Sequence, residues 1–264
     1  SLHDALPISF AGATVHDFFN LCAVALLFPI ELFFHPIEKM ALVFTKLFEG
    51  AGGVRFTSPL KVIIEPAIHA VEHFFLEILS FSERTAAAIM LIVSIGILIV
   101  SLVFLVKLMR SLVAQKAETV VDKFLFRNDF MAVLVGTGLT VLVQSSSVTT
   151  SLLVPLVGAG IVSLNRCYPF TLGANLGTTC TALLASLATV SAASGGMNTV
   201  GVTAAFAHLS FNILGIAVFY PLRIVPITCA KFLAGIAAES KRWAVVFVLG
   251  IFFILPLLMI LLTR

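Results

Sequence analysis

The chain has 264 residues, 60% apolar and 11% charged, with a mean hydropathy of +1.13 and a formal net charge of +3. This profile excludes a disordered chain and argues against a water-soluble domain. The basic residues stand at the ends of apolar segments and never gather into one stripe, so nucleic acid is no partner.

Residues 1–9 include His3, Asp4 and Pro7 and lack a basic n-region, so they read as a separate segment and not as a signal peptide. Residues 15–34 form an apolar run long enough to span, with Asp17 and Glu31 near its two ends. Lys61, Glu65, His69, Glu72 and Glu77 then follow helical spacing opposite Ile64, Ile68, Val71, Phe75 and Ile78. That pattern predicts an amphipathic helix lying along the membrane interface. Residues 86–106, bounded by Arg84 and Lys107, meet the ~20-residue length of a simple span.

From Phe130 to Leu222, Arg166 is the only Asp, Glu, Lys or Arg. An isolated charge at mid-bilayer costs at least ~3 kcal/mol, and a chain that sits in lipid sheds charge in this way. Within this stretch, residues 130–165 are interrupted at their centre by Gln144-Ser-Ser-Ser147 and close with Gly158-Ala-Gly160. A second leg over 148–157 would be about 15 Å long, roughly half of a ~30 Å hydrocarbon core. This length predicts a re-entrant helical hairpin whose polar tip stops near the midplane. Residues 167–189 and 199–222 are further spans, parted by the polar, flexible stretch 191–198, and residues 243–263 between Arg242 and Arg264 are the last.

Lys107, Arg110, Lys116, Lys123 and Arg127 follow one span, and Arg223, Lys231, Lys241 and Arg242 fill what reads as a loop after Leu222. If the hairpin returns to its starting side, both basic groups and Arg166 fall in the cytoplasm. Arg166 then anchors that interface. The predicted organisation is a single all-α, multi-pass membrane domain. Residues 1–9 stand apart, 10–129 hold two spans and the interfacial helix, and 130–264 hold the hairpin and the remaining spans.

His16, Asn20 and Pro29 recur as His208, Asn212 and Pro221 at a constant offset of 192 residues. The crossing count gives the two helices opposite orientation, the mark of an inverted-topology repeat. Gln144 lies 64 residues before His208, so its symmetry mate would fall upstream of residue 1. The expectation is half of an inverted-repeat secondary transporter whose N-terminal repeat is missing from this chain. His16 with Asn20 and His208 with Asn212 are i, i+4 pairs, and interhelical hydrogen bonding is their simplest role.

Gln144-Ser-Ser-Ser-Val-Thr-Thr-Ser151 packs six hydroxyls and one carboxamide into eight positions. Neutral hard oxygens are what a small alkali cation accepts, and free N–H groups in a first turn opening at Val148 would hold an anion. The bland alternative is that Ser and Thr bond back to their own helix carbonyls. Gly173 and Gly177 flank Asn175 and precede Thr178 and Thr179. They predict either an unwound turn that exposes carbonyls to an ion or a small-residue packing face. Cys22, Cys167, Cys180 and Cys229 lie far apart with no metal-ligand spacing, so free thiols and no transition-metal site or cofactor are expected. No nucleophile, base and orienting acid come together, which speaks against an enzyme.

Phe10 through Asn20, Gln144-Ser-Ser-Ser147, Tyr168 through Thr179, and His208 through Pro221 together resemble the type II sodium-dependent phosphate cotransporter family. Members of that family carry the signature twice, in inverted halves, and their two hairpin tips jointly form the site for sodium and phosphate. The resemblance implies that Gln144, Ser145, Ser146, Ser147, Thr149 and Thr150 contact phosphate. By the same resemblance Gln144, Ser145, Asn175, Thr178 and Thr179 contact sodium, the coupling ion. This chain carries one copy only. The expected activity is sodium-coupled phosphate symport by alternating access in the plasma membrane. The rivals are a carrier of another small anion and a membrane scaffold that does not transport.

Overall fold

The computed structural model describes residues 2–48, 66, 68–78, 81–114, 127–189 and 199–262, and these contain helices and turns without a strand. Helix α1 (Leu2–Phe34) begins well before the predicted span and carries Pro7 and Pro29 within it. It stops where His35 turns left-handed (φ 51°) ahead of Pro36, the first residue of α2 (Pro36–Leu47). A proline at a helix start loses no bond, because its N–H would be an orphan there. The next orphans are met by Glu31, whose carboxylate accepts from the N–H groups of Ile37 (2.7 Å) and Glu38 (3.0 Å).

The predicted interfacial helix lies partly outside the described residues, and what is described of it, 68–78, is helical with a π-helical end, Phe74–Ile78. Helix α3 (Glu83–Ala114) is longer than its predicted span and takes in Lys107 and Arg110. Then come α4 (Asp129–Val143), α5 (Ser146–Ser151), α6 (Leu153–Gly158), α7 (Leu164–Thr189), α8 (Thr199–Phe219) and α9 (Ile224–Glu239). The chain closes with α10 (Lys241–Leu249), a π-turn at Gly250–Ile254, and α11 (Leu255–Leu262). Among the described residues, three stretches are long and apolar enough to cross a membrane: Pro7–Phe34, Glu83–Ser101 and Val200–Phe219. With its helical architecture, this makes the chain an all-α membrane protein.

One expectation is corrected and one pair of alternatives is decided. The basic stretch after Leu222 is not a loop: α9 occupies it and buries Ile227, Ala230 and Ala234 against α1. Its charged residues Lys231 and Glu239 are exposed, while its small residues Ala230 and Ala234 are buried. Gly173 and Gly177 do not unwind α7, which runs unbroken from Leu164 to Thr189. Both glycines are where α4 comes closest. A Cβ on Gly173 would run into the Val133 carbonyl, and one on Gly177 into Thr140 and the Thr137 carbonyl. From the other side, a Cβ on Gly136 would strike the Phe170 carbonyl. Lipid tails are as apolar as leucine, so helices in a bilayer associate through such close approach and through interhelical hydrogen bonds. One of these bonds is present, from the Thr137 hydroxyl to the Gly173 carbonyl at 3.0 Å.

Helix α1 is central, touching α2, α5, α6, α7, α8 and α9. Phe19 is fully buried and meets Tyr168 of α7 and Phe219 of α8 edge-on, at centroid distances of 6.3 and 6.5 Å. The Tyr168 hydroxyl, also buried, donates to the Phe219 carbonyl over 3.0 Å, so its one polar atom is satisfied. Helix α8 docks on α2 through Phe206 between Phe44 and Phe48, and through a hydroxyl pair of Thr45 and Thr203 at 3.0 Å.

Candidate functional site

The polar tip is built by a deliberate interruption. Asn128 caps α4, accepting from the Met131 N–H at 2.7 Å. After the fifteen residues of α4 the helix ends at Gln144, held left-handed at φ 57° with its N–H still donating to the Thr140 carbonyl. A non-glycine residue in that region costs roughly 1–2 kcal/mol, and such strain gathers at functional positions. Ser145 then returns to extended backbone and caps α5, its hydroxyl accepting from the Val148 N–H at 3.2 Å.

Gly173 of α7 meets Val133 and Thr137, and one turn later Gly177 meets Thr137 and Thr140, so α4 and α7 run parallel. The intervening α5 and α6 therefore carry the chain back to the side from which α4 set out. The returning leg is in two pieces, joined at Leu152, and its second piece packs Val157 against Gly12 of α1.

Gln144 and Ser147 are exposed, Ser145, Ser146 and Thr150 half-buried, and Thr149 fully buried. The hydroxyls fall into two sets. Thr149 donates to the Ser145 carbonyl (2.9 Å), Thr150 to the Ser146 carbonyl (2.9 Å) and Ser151 to the Val148 carbonyl (2.8 Å). Thr178 and Thr179 likewise donate to Ala174 (3.1 Å) and Leu176 (2.7 Å). With the proton parked on a carbonyl, the oxygen keeps lone pairs to offer a cation and nothing to offer an anion. Ser146, Ser147 and the Gln144 carboxamide have no such partner among the described residues, so their donors are free.

The helix opens at Ser146, two residues before the expected start, and Ser145 already occupies the Val148 and Thr149 N–H groups with its hydroxyl and its carbonyl. The expected anion pocket at a Val148 helix start is therefore not formed.

Asn175, 7% exposed, is gripped from α1. His16 Nε2–H donates to its Oδ1 at 2.6 Å, and its Nδ2 donates to the Asn20 Oδ1 at 3.1 Å. The spacing of His16 and Asn20 announced an interhelical role, and the partner is a predicted sodium ligand. No hydrogen bond among the described residues joins the tip to Asn175, Thr178 or Thr179, although α5 packs against α7.

Sequence reasoning passed over Thr137 and Thr140, which share a face with Gly136 at helical spacing. The Thr140 hydroxyl is buried without a partner among the described residues. It also passed over Asp129, whose Oδ2 accepts from the Tyr220 hydroxyl and from Arg223, both at 2.9 Å. Glu31, His35 and Glu38 bring ligand atoms within 4.8 Å of one another at the α1–α2 junction, but both Glu31 oxygens are spent capping α2.

The chain is similar to sodium-dependent phosphate transport proteins. It is 29% identical to protein 2B of Homo sapiens over 94% of this chain and 48% of that one. With protein 2A of Ovis aries the identity is 29%, over 94% and 49%. With protein 2C of Mus musculus it is 41%, over 67% and 30%. The chain spans about half the length of the curated relatives it matches. No solved structure matches it. Residues 97–254 match the family described as Na+/Pi-cotransporter, and the chain belongs to that family.

Proposed function

We propose that this chain forms part of a plasma-membrane symporter that moves inorganic phosphate with sodium by alternating access. The observation that carries the reading is the division of hydroxyls at the tip and on α7. Thr149, Thr150, Thr178 and Thr179 present lone pairs suited to sodium, while Ser146, Ser147 and the Gln144 amide keep donors for phosphate oxygens. The relatives' names, sodium-dependent phosphate transport proteins, support the same pairing of ions.

In this reading α4 and the α5–α6 leg are a re-entrant hairpin, and Gln144 and Ser145 bridge the two ions. Thr149 and Thr150, which the family resemblance gives to phosphate, serve sodium in this reading. Asn175 keeps a lone pair on Oδ1 for sodium, while His16 and Asn20 hold it in place. The exposed Gln144 and Ser147 face an inverted counterpart that completes the cage.

Arg166, the one formal charge between Phe130 and Leu222, sits exposed at the start of α7. Bound sodium therefore supplies the charge that offsets phosphate, and the affinity of each ion depends on the other. Coupling and charge compensation become one interaction. The test is phosphate uptake by the full-length protein in proteoliposomes, with sodium or choline outside. Uptake that collapses in choline is expected, and equal uptake overturns the reading.

A further inference from the structure

Away from the tip, a groove of about 580 Å³ opens where the first turns of α1, the turn between α6 and α7, and the second half of α9 meet. Ala11, Val157, Leu164 and Ala234 give it apolar walls, and its polar side chains are Lys231 and Ser163, both exposed. No carboxylate lines it, and Lys231 makes no ion pair among the described residues. Helix α7 also starts in this wall, at Leu164, so the partial positive end of a 26-residue helix adds to the lysine's charge. A lysine stem lies well along such an apolar slot while its ammonium seeks an anion at the rim.

We propose that this groove holds one anionic glycerophospholipid drawn from the membrane. Its phosphate sits between Lys231, the Ser163 hydroxyl and the α7 start, and one acyl chain fills the slot. Positive charge at the rim of an apolar slot, with no acid among the described residues that line it, complements one negative headgroup on a hydrocarbon tail. The proposal concerns a place distinct from the polar tip and does not depend on transport.

The test is native mass spectrometry of the purified full-length protein given equal amounts of phosphatidylglycerol and phosphatidylcholine. Wild type is expected to retain phosphatidylglycerol about fivefold over phosphatidylcholine. Lys231→Gln should abolish that preference, and Lys231→Arg should keep it. A Cβ on Gly235, which also lines the groove, meets nothing within 4 Å, so Gly235→Leu starts from open space and is the variant chosen to fill the slot. It should lose both lipids while keeping wild-type helical content. Equal retention of the two lipids by wild type, no retained lipid, an undiminished preference in Lys231→Gln, or full binding by Gly235→Leu would each overturn the proposal.

Discussion

His16 of α1 and Asn175 of α7 are joined by a 2.6 Å hydrogen bond, and Asn20, one turn on from His16, takes the other end of the same carboxamide. Because Asn175 donates through Nδ2, its Oδ1 must accept, which fixes His16 as the donor through Nε2. Asn175→Ala strands a donor on His16 and an acceptor on Asn20. It should cost about 1–3 kcal/mol of stability and raise the sodium concentration needed for half-maximal uptake. His16→Ala should reproduce part of both effects. In a double-mutant cycle the two substitutions should be strongly non-additive, and simple additivity would show that the bond does not organise the site.

The glycines at the α4–α7 crossing divide by what surrounds them. Gly136→Ala and Gly173→Ala each drive a methyl group into a backbone carbonyl of the facing helix, so the helices must part. Each should destabilise by about 1–3 kcal/mol or more. Gly138, on the exposed side of α4, meets nothing within 4 Å, and Gly138→Ala should stabilise by roughly 0.5–1 kcal/mol. Thermal unfolding in detergent ranks the three, and a harmless Gly173→Ala would mean that the close contact is not needed.

Those glycines also mark the limit of what the sequence could say. The long helices α1, α3 and α8 were legible because hydrophobic length is a property of each segment alone. The interruption at Gln144 was legible because polar residues at that density cannot face lipid. Gly173 and Gly177 were ambiguous because a glycine in an apolar run serves an unwound turn and a tight crossing equally well. Only the position of Val133, Thr137 and Thr140 on the other helix decides between them. Helix α9 was missed for the opposite reason. Arg223 and Lys231 read as loop charge, while the small residues that dock it, Ala230 and Ala234, carry little hydrophobic signal on their own.

Asp129 ties the start of α4 to the turn after α8, accepting from Tyr220 and Arg223. Both ion-pair partners are exposed, so Asp129→Asn should cost under ~1 kcal/mol. The alkaline behaviour is more diagnostic. The hydrogen bond to Asp129, then burial and the nearby negative charge, push the Tyr220 hydroxyl above its ordinary value of 10.0, with Arg223 pulling the other way. A raised phenol contributes stability that is fully present below pH ~10 and is lost as pH rises through the folded value. Wild type should melt higher than Tyr220→Phe at pH 8, and the gap should close above pH 10. A gap independent of pH would remove Tyr220 from the latch.

Gln144 separates strain from chemistry. Its left-handed backbone favours glycine, while its carboxamide is the one amide at the tip. Gln144→Ala keeps the strained backbone and removes the amide. Gln144→Gly removes both, and should be more stable than Gln144→Ala by roughly 1 kcal/mol. If the tip holds the ions, the two variants should nevertheless lose sodium-driven phosphate uptake to a similar degree, because neither can span sodium and phosphate. Unfolding curves and uptake measured on the same preparations separate the two effects. Should Gln144→Gly transport like wild type, the side chain has no part in binding, and the left-handed turn alone explains why the helix breaks there.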